Sequence, residues 1–283
     1  MRPIPHKLIG VASRRERGDH AATCHTAPSG DQMPAKDDAV KVQWATVVPG
    51  TETPAGDGKS GALRCVLALE DGTLVGAILK RDPPELVFAE LLGALLLKAW
   101  GLPVPAPYLV SEGSTVAFAS SDVGYPNLKK RMGLDNFVEG SPAYLAALST
   151  AMTFAKNLES APLAAVLDEV IDNRDRNLGN ILWDGAEEVW IDHALAFGNG
   201  AARGFQDLNK LCMCAVATGD HADFMSAVME RWQTVDSGAV SPSADVIDPH
   251  FDSSAWRALV AARLADLGMR LLGRFPKPAD LLH

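Results

Sequence analysis

The sequence has few cysteines and no long apolar run. Only four of its 283 residues are cysteine, without paired spacing, which argues against a disulfide-stapled secreted domain. The longest apolar run, Leu91–Leu97, is far shorter than the roughly 20 residues that span a bilayer. We therefore expect a cytoplasmic protein that does not cross a membrane.

Basic residues are scarce relative to acidic ones. The chain has 26 Lys and Arg against 35 Asp and Glu, a net charge of -9. A protein that binds nucleic acid or a membrane surface needs a basic face toward the phosphates. We therefore expect neither kind of partner. What remains is the composition of an ordinary globular protein, with 47% hydrophobic residues.

Three parts of the chain differ in pattern. Residues 1–40 are small and polar without periodicity, which predicts a poorly ordered or irregular N-terminal segment. Residues 41–125 are rich in strand patterns and contain one helix, whereas residues 126–283 are mostly helical with one hairpin. This order predicts an α+β fold with two lobes. The N-lobe would be β-rich with one main helix, and the C-lobe mostly helical with one hairpin.

Several elements are predicted individually. Two strands joined through Asp71 and Gly72 form a hairpin that ends at Lys80, and a helix follows from Pro84 to about Trp100. A single amphipathic helix is predicted over Ser254–Leu272.

The polar segment after the predicted helix at 162–171 has an informative spacing. Asn180 follows Asp175 by five residues, and Asp192 comes twelve residues later at the end of an apolar strand. Protein kinases place a catalytic Asp, a metal-binding Asn and a second metal-binding Asp in this order, because one carboxylate faces the attacking hydroxyl while the other two groups hold magnesium. A polar turn with capping side chains is the alternative. The apolar hairpin between Asn180 and Asp192 favours the kinase interpretation.

The first half of the chain supplies matching residues. Lys80 ends an apolar strand, and Glu90 lies ten residues later among apolar helix neighbours, where an unpaired carboxylate is costly. Kinases use a strand lysine to bind the nucleotide phosphates and a helix glutamate to hold that lysine. A surface lysine and an exposed glutamate are the alternative. A glycine-rich loop lies where kinases cover the phosphates, and its candidate nucleotide-binding residues are Gly58, Ser60 and Gly61.

Negative charge is concentrated around the motif. Nine acidic residues and two basic ones lie between Glu159 and Asp192. This excess suits a site that divalent cations complete.

These motifs resemble the HipA-like kinases, a bacterial branch of the protein-kinase-like fold. The resemblance is carried by Asp-Arg-Asn-Leu-Gly-Asn within residues 170–183, by Ile-Asp-His within 191–197, and by the upstream stretches 75–80, 90–93 and 101–105. It implies that Asp175 is the catalytic base and that Lys80 binds phosphate. Asn180 and Asp192 would be the magnesium ligands.

The sequence also departs from the kinase patterns. His193 stands where eukaryotic kinases have Phe, and too few residues separate Asp192 from the next predicted helix for a long phosphorylated activation loop. Residues 1–40 are too short and polar for the extra N-terminal subdomain of the larger toxin kinases. A toxin–antitoxin-type partner and a particular protein substrate therefore stay open.

The expected activity is ATP- and Mg2+-dependent transfer of the γ-phosphate to a hydroxyl, that of Ser or Thr in a protein. A lipid or small-molecule kinase, or an enzyme that transfers AMP, is the first alternative on the same fold. A nucleotide-binding pseudokinase that acts as a regulatory module is the second. The presence of Lys80, Asp175, Asn180 and Asp192 together argues against the pseudokinase.

Overall fold

A computed structural model describes residues 42–56, 61–200 and 210–276, all within one compact unit, Ala39–His283. The strands in these ranges are β1 Gln43–Val47, β2 Thr53–Pro54, β3 Leu63–Leu69, β4 Leu74–Lys80, β5 Pro107–Glu112, β6 Thr115–Ser121, β7 Ile181–Trp183 and β8 Glu188–Trp190. The α-helices are α1 Pro84–Ala99, α2 Leu128–Arg131, α3 Pro142–Lys156, α4 Ala161–Val170, α5 Lys210–Ala217, α6 His221–Trp232, α7 Val240–Asp245, α8 Ser254–Ala265 and α9 Leu267–Leu272. Short 3-10 helices lie at Leu134–Asn136, Leu178–Asn180 and Ser237–Ala239.

The first six strands form one sheet that closes into a small barrel. Their order is β1-β5-β6-β4-β3-β2, and β1 also pairs with β3. The β1–β5 pair is parallel, whereas β3–β4, β4–β6, β5–β6 and β1–β3 are antiparallel. Closure through β1 and β3 leaves fewer unpaired strand edges. A barrel of so few strands has a narrow interior, and its buried core accordingly contains several small residues, among them Ala45, Cys65, Ala77, Ala117 and Ala119.

Strand β4 places Lys80 on the outside of this barrel. Successive residues of a strand point to opposite faces, so Ala77 and Leu79 are buried in the barrel core while Ile78 and Lys80 face away from it. Ile78 and Lys80 line a cleft together with Glu90 of α1. The strand and helix predicted for these residues are confirmed.

Helix α1 is buried along most of its length. The residues from Val87 to Leu97 are buried without interruption, as expected for a helix that packs on several sides. The helix begins directly after Pro83, and Gly101 follows its end with a φ of 85°, a backbone conformation that glycine adopts without steric cost.

A stack of aromatic rings supports α1 from the C-terminal part of the chain. Phe88 stacks on Phe251 at 5.2 Å between ring centroids, Phe251 on Trp256 at 4.7 Å, and Trp256 on Phe197 at 5.3 Å. Two residues correspond to about 200° of helix rotation, so Phe88 and Glu90 face roughly opposite sides of α1. The stack therefore fixes the helix from the side away from Glu90.

The structure differs from the sequence predictions in three places. The two-residue strand β2 lies within the stretch predicted as a glycine-rich loop. Residues predicted as one helix, Ser254–Leu272, form the separate helices α8 and α9, because the chain leaves helical geometry at Asp266, where φ is -120°. Strand β5 was not predicted, since its short apolar run has no alternation. The mixture of strands and helices agrees with the expected class, and no helix in the described ranges is long and apolar enough to cross a membrane.

Candidate functional site

Three predicted site residues meet in one buried ion-pair cluster. The Lys80 ammonium donates to Glu90 Oε1 and, over 2.8 Å, to Asp192 Oδ1. Glu90 Oε2 accepts the backbone N–H of His193 at 2.7 Å. The cluster thereby joins β4, α1 and the segment after β8 at one point. Lys80 and Glu90 are in contact, as predicted; the additional contact between Lys80 and Asp192 was not.

Burial and charge shift the pKa of each group in the cluster. Burial raises the pKa of the Glu90 carboxyl to about 7, although the Lys80 ammonium opposes this rise. Burial alone would lower the pKa of Lys80, but its two carboxylate neighbours outweigh burial and raise it above the ordinary value. Burial alone would raise the pKa of Asp192, but the attraction of Lys80 lowers it instead. Lys80 and Asp192 are therefore both charged at neutral pH.

In the loop after α4, two asparagine side chains donate to the backbone carbonyl of Asp175. Asn177 Nδ2 and Asn180 Nδ2 both donate to this oxygen, at 2.8 and 2.7 Å. The Asp175 N–H donates in turn to Asn173 Oδ1 at 3.1 Å. Because Asn180 uses its amide nitrogen here, its amide oxygen stays directed elsewhere as an acceptor.

Buried Arg176 ties this loop to the strand that leads to the ion-pair cluster. Its guanidinium makes two 2.9 Å hydrogen bonds to the Asp168 carboxylate, the bidentate geometry typical of arginine. It also donates to the carbonyls of Asn180 at 3.2 Å and Ile191 at 2.9 Å. The Ile191 N–H donates to the Asn180 carbonyl at 3.1 Å. Asn180 therefore lies beside the residue that precedes Asp192.

Part of the negative charge in the acidic segment 159–192 is paired with arginines. Three of its most buried carboxylates are neutralised by arginines, in the pairs Asp168–Arg176, Glu169–Arg263, Glu169–Arg274, Asp172–Arg174 and Asp172–Arg263. Two of these arginines come from α8 and from the segment after α9, about 90 residues or more along the chain. Sequence reasoning missed them because no local pattern links the partners.

Backbone strain is concentrated at the same loops. Within the described ranges, the non-glycine residues with positive φ are Asp172 at 55°, Asp192 at 68° and Phe197 at 55°. Such conformations cost roughly 1–3 kcal/mol each and persist where the surrounding contacts enforce them. For Asp192 these contacts include the ion pair with Lys80 and the neighbouring His193–Glu90 hydrogen bond.

A cleft of about 60 Å³ lies beside the cluster. Apolar side chains line it from both directions, Ile78 from the barrel and Leu182 and Ile191 from the β7–β8 hairpin. Its end is formed by Ser120–Val123, where β6 ends. These four residues were not recognised in the sequence, since a short polar stretch before a glycine carries no distinctive pattern.

The other predicted residues lie in different places. Asp175 and Asn180 are not among the described residues that line the cleft, which includes Lys80 and Asp192. Gly61 is exposed with a φ of 63° and is likewise absent from that lining. The predicted residues Gly58 and Ser60 lie outside the described residues.

Helix α1 also lies close to His193 at Gly93. A Cβ atom added there would lie 2.6 Å from the Cβ of His193, far inside van der Waals contact. His193 is itself buried, and burial holds the pKa of its imidazole well below the ordinary value. Only glycine allows this approach, so Gly93 determines how close α1 lies to the segment with Asp192.

No protein-family model and no curated protein matches this sequence. Solved structures do match. The structure is similar to that of the Helicobacter pylori proinflammatory kinase CtkA, with a TM-score of 0.53 and 14% identity over 81% of this chain and 96% of CtkA. It is also similar to HipA of Shewanella oneidensis MR-1, solved with HipB and operator DNA, with a TM-score of 0.46 and 15% identity. That second match covers 69% of this chain and 57% of HipA.

The likeness to CtkA shows the fold. This chain has the fold of a kinase of this kind, although few of its residues are identical. The resemblance to HipA-like kinases, predicted from the motifs around Asp175 and Asp192, is confirmed at that level.

Stability measurements test the contact between Lys80 and Glu90. Lys80→Ala leaves two carboxylates without their countercharge, and we expect a loss of about 3 kcal/mol in the free energy of unfolding. Glu90→Gln added to this variant removes one of those charges and should restore at least about 1 kcal/mol. Urea unfolding of the single and double variants measures the coupling. Simple additivity would contradict the pair. Arg270→Ala is the control, because it breaks one ion pair with Asp266 near the surface, and it should cost no more than about 1 kcal/mol.

The close approach at Gly93 gives a second test. Gly93→Ala should lower the free energy of unfolding by about 1–3 kcal/mol, because the added methyl group forces α1 and His193 apart. Gly76→Ala is the matched control, since nothing lies within 4 Å of its added Cβ. Urea titrations of both variants should separate them, and equal stabilities would show that α1 and this segment tolerate a wider spacing.

Proposed function

We propose that this chain is an ATP- and Mg2+-dependent kinase that transfers the γ-phosphate of ATP to the hydroxyl of Ser or Thr in a protein. In this proposal the barrel with α1 is the N-lobe, and the helices from α2 onward form the C-lobe. The observation that best supports this proposal is the cluster in which Lys80 contacts both Glu90 and Asp192. One carboxylate, that of Glu90, is enough to neutralise a lysine with a purely structural role. The second carboxylate, that of Asp192, is explained if the lysine binds phosphate beside a metal ligand.

The cleft beside the cluster supports a nucleotide site. Its walls are apolar, with Ile78 on one side and Leu182 and Ile191 on the other, as in sites that bind a flat aromatic base. The cleft holds only about 60 Å³, so its two sides would have to move apart to admit the base. Ser120–Val123, where β6 ends, also line it. Lys80 lies at the same cleft, where it would bind the phosphates.

The donor set also fits magnesium. Asn180 donates its amide nitrogen within its own loop and would bind the metal through its amide oxygen, and Asp192 contacts Lys80 through Oδ1 and would offer Oδ2. Hard oxygen donors of this kind suit Mg2+, which takes its remaining ligands from water and phosphate. Among the described residues, no three His, Cys, Asp or Glu side chains form a metal site by themselves. Water and phosphate would therefore have to supply the other ligands. Bound Mg2+ would neutralise the charge that develops on the phosphates.

Asp175 would act on the acceptor. In the transfer, the acceptor oxygen forms a bond to the γ-phosphorus while the bond from that phosphorus to the bridging oxygen breaks, and ADP leaves with the bridging oxygen. The proton of the hydroxyl passes to the Asp175 carboxylate. The two asparagine bonds to the Asp175 carbonyl hold the residue in place for this role.

The Asp175→Asn variant tests the activity itself. Transfer from γ-labelled ATP to protein in a lysate, located by mass spectrometry, should fall about 10²–10⁴-fold, because the amide cannot accept the proton. Binding of ATP should be nearly unchanged. Asp184→Asn, in the exposed turn of the β7–β8 hairpin, is the control and should retain full activity. Transfer by Asp175→Asn at the unmutated rate would remove this residue from the reaction, and pyrophosphate in place of ADP would identify transfer of AMP.

Thermal melts test the metal ligand. Mg2+ and ATP should raise the melting temperature of the unmutated protein, because they bind only its folded state. Asp192→Asn should lose most of this rise. For each variant, the rise is measured against the melting temperature of the same variant without ligand. Asp71→Asn, in the exposed β3–β4 turn, should keep it. An equal rise for Asp192→Asn would exclude Asp192 from metal binding.

A further inference from the structure

A larger cavity, of about 580 Å³, lies next to the catalytic loop that carries Asp175. We call it the loop cavity. It is lined by Lys129, Leu134, Tyr144, Leu148, Ser149, Met152, Asn177, Leu178, Gly179, Lys210, Met213, Cys214, Ala217 and Thr218. None of these residues lines the cleft assigned to the nucleotide. The loop cavity is therefore a separate site that the nucleotide cleft does not account for.

The composition of the loop cavity favours an apolar occupant. Tyr144, Leu148 and Met152 line it from α3, and Met213 and Ala217 line it from α5. A volume between about 300 and 1,000 Å³ with mostly apolar walls is typical of binding sites, whereas voids in a packed core are far smaller. The cavity is thus large enough for one or two bulky apolar groups.

One wall of the loop cavity belongs to the catalytic loop itself. Asn177 and Gly179 line the cavity, and the Gly179 N–H donates to Asn177 Oδ1 at 2.8 Å. Asn177 in turn donates to the Asp175 carbonyl at 2.8 Å. Asn177 is two residues from Asp175, a distance of at most about 7 Å along the backbone. An acceptor bound in the cavity would therefore lie close to the proposed base.

The loop cavity opens to the protein surface. Met213, one of its lining residues, is 51% exposed. A cavity that is open to solvent beside the loop with the proposed base can admit a side chain of another molecule. Because the proposed acceptor is a Ser or Thr of a protein, that side chain would belong to the acceptor protein.

We propose that the loop cavity binds an apolar side chain of the protein acceptor, close in sequence to the Ser or Thr that accepts phosphate. This inference rests on the proposed kinase activity and names its acceptor more closely. An extended peptide rises about 3.3 Å per residue, so the apolar residue lies within about four residues of the accepting hydroxyl. Leu, Met or Phe at that position would fill the space between α3, α5 and the catalytic loop.

Peptides test this directly. A positional-scanning library with a central Ser or Thr and ATP should show one position, within about four residues, where Leu, Met or Phe raises kcat/KM at least about tenfold over Asp or Gly. In Met213→Glu the KM for the best peptide should rise at least about tenfold, and a peptide with Lys at that position should regain part of the loss. Met269→Glu is the matched control, because Met269 is 74% exposed on α9 and does not line the cavity.

The outcomes separate this inference from the kinase proposal. Peptide phosphorylation without an apolar preference, or Met213→Glu that behaves as Met269→Glu does, would overturn the inference and leave the kinase activity intact. Phosphorylation of a long-chain alcohol but of no peptide would assign the cavity to a small or lipid acceptor, and would also overturn it. If no acceptor is phosphorylated and Mg2+ with ATP causes no rise in the melting temperature, the kinase proposal itself fails. A rise in the melting temperature of Met213→Glu with Mg2+ and ATP will show that this variant is folded.

Discussion

The rest of the site depends on one interaction, the contact of a buried lysine with two carboxylates. Lys80 has a single positive charge, whereas Glu90 and Asp192 are both acidic. Glu90 is almost completely buried, and its second oxygen is satisfied by the His193 N–H. Without Lys80 these carboxylates would lack a countercharge. This would lower the free energy of unfolding, and more so because Glu90 is buried. In the proposed function, Lys80 and Asp192 would exchange their mutual contact for phosphate and Mg2+, while the His193 N–H would still bind Glu90.

A buried arginine holds the loop with Asp175 in place. Arg176 joins Asp168 at the end of α4 to the carbonyls of Asn180 and Ile191, and these backbone positions lead directly to Asp192. Three of the nine acidic residues of this segment, Asp168, Glu169 and Asp172, are balanced by arginines in ion pairs. Charge composition alone does not show which carboxylates are paired in this way.

Helix α1 is held between two kinds of contact. Glu90 on one side reaches Lys80, while Phe88 on the other side stacks on Phe251 of the C-terminal part. Trp100, just after the helix, donates to the Asp236 carbonyl at 2.7 Å. Because these contacts come from residues far along the chain, the C-terminal helices contribute to the position of Glu90 as well as to the hydrophobic core.

The sequence by itself determined the features that local patterns encode: the β3–β4 hairpin, α1, and the spacing of Asp175, Asn180 and Asp192. Only the tertiary structure decided that Lys80 contacts a carboxylate 112 residues away, and that Glu169 meets an arginine 94 residues away. It alone revealed the residues at the end of the cleft and the loop cavity. Contacts between such distant residues follow from how the elements pack, and packing leaves no periodic signal in the sequence.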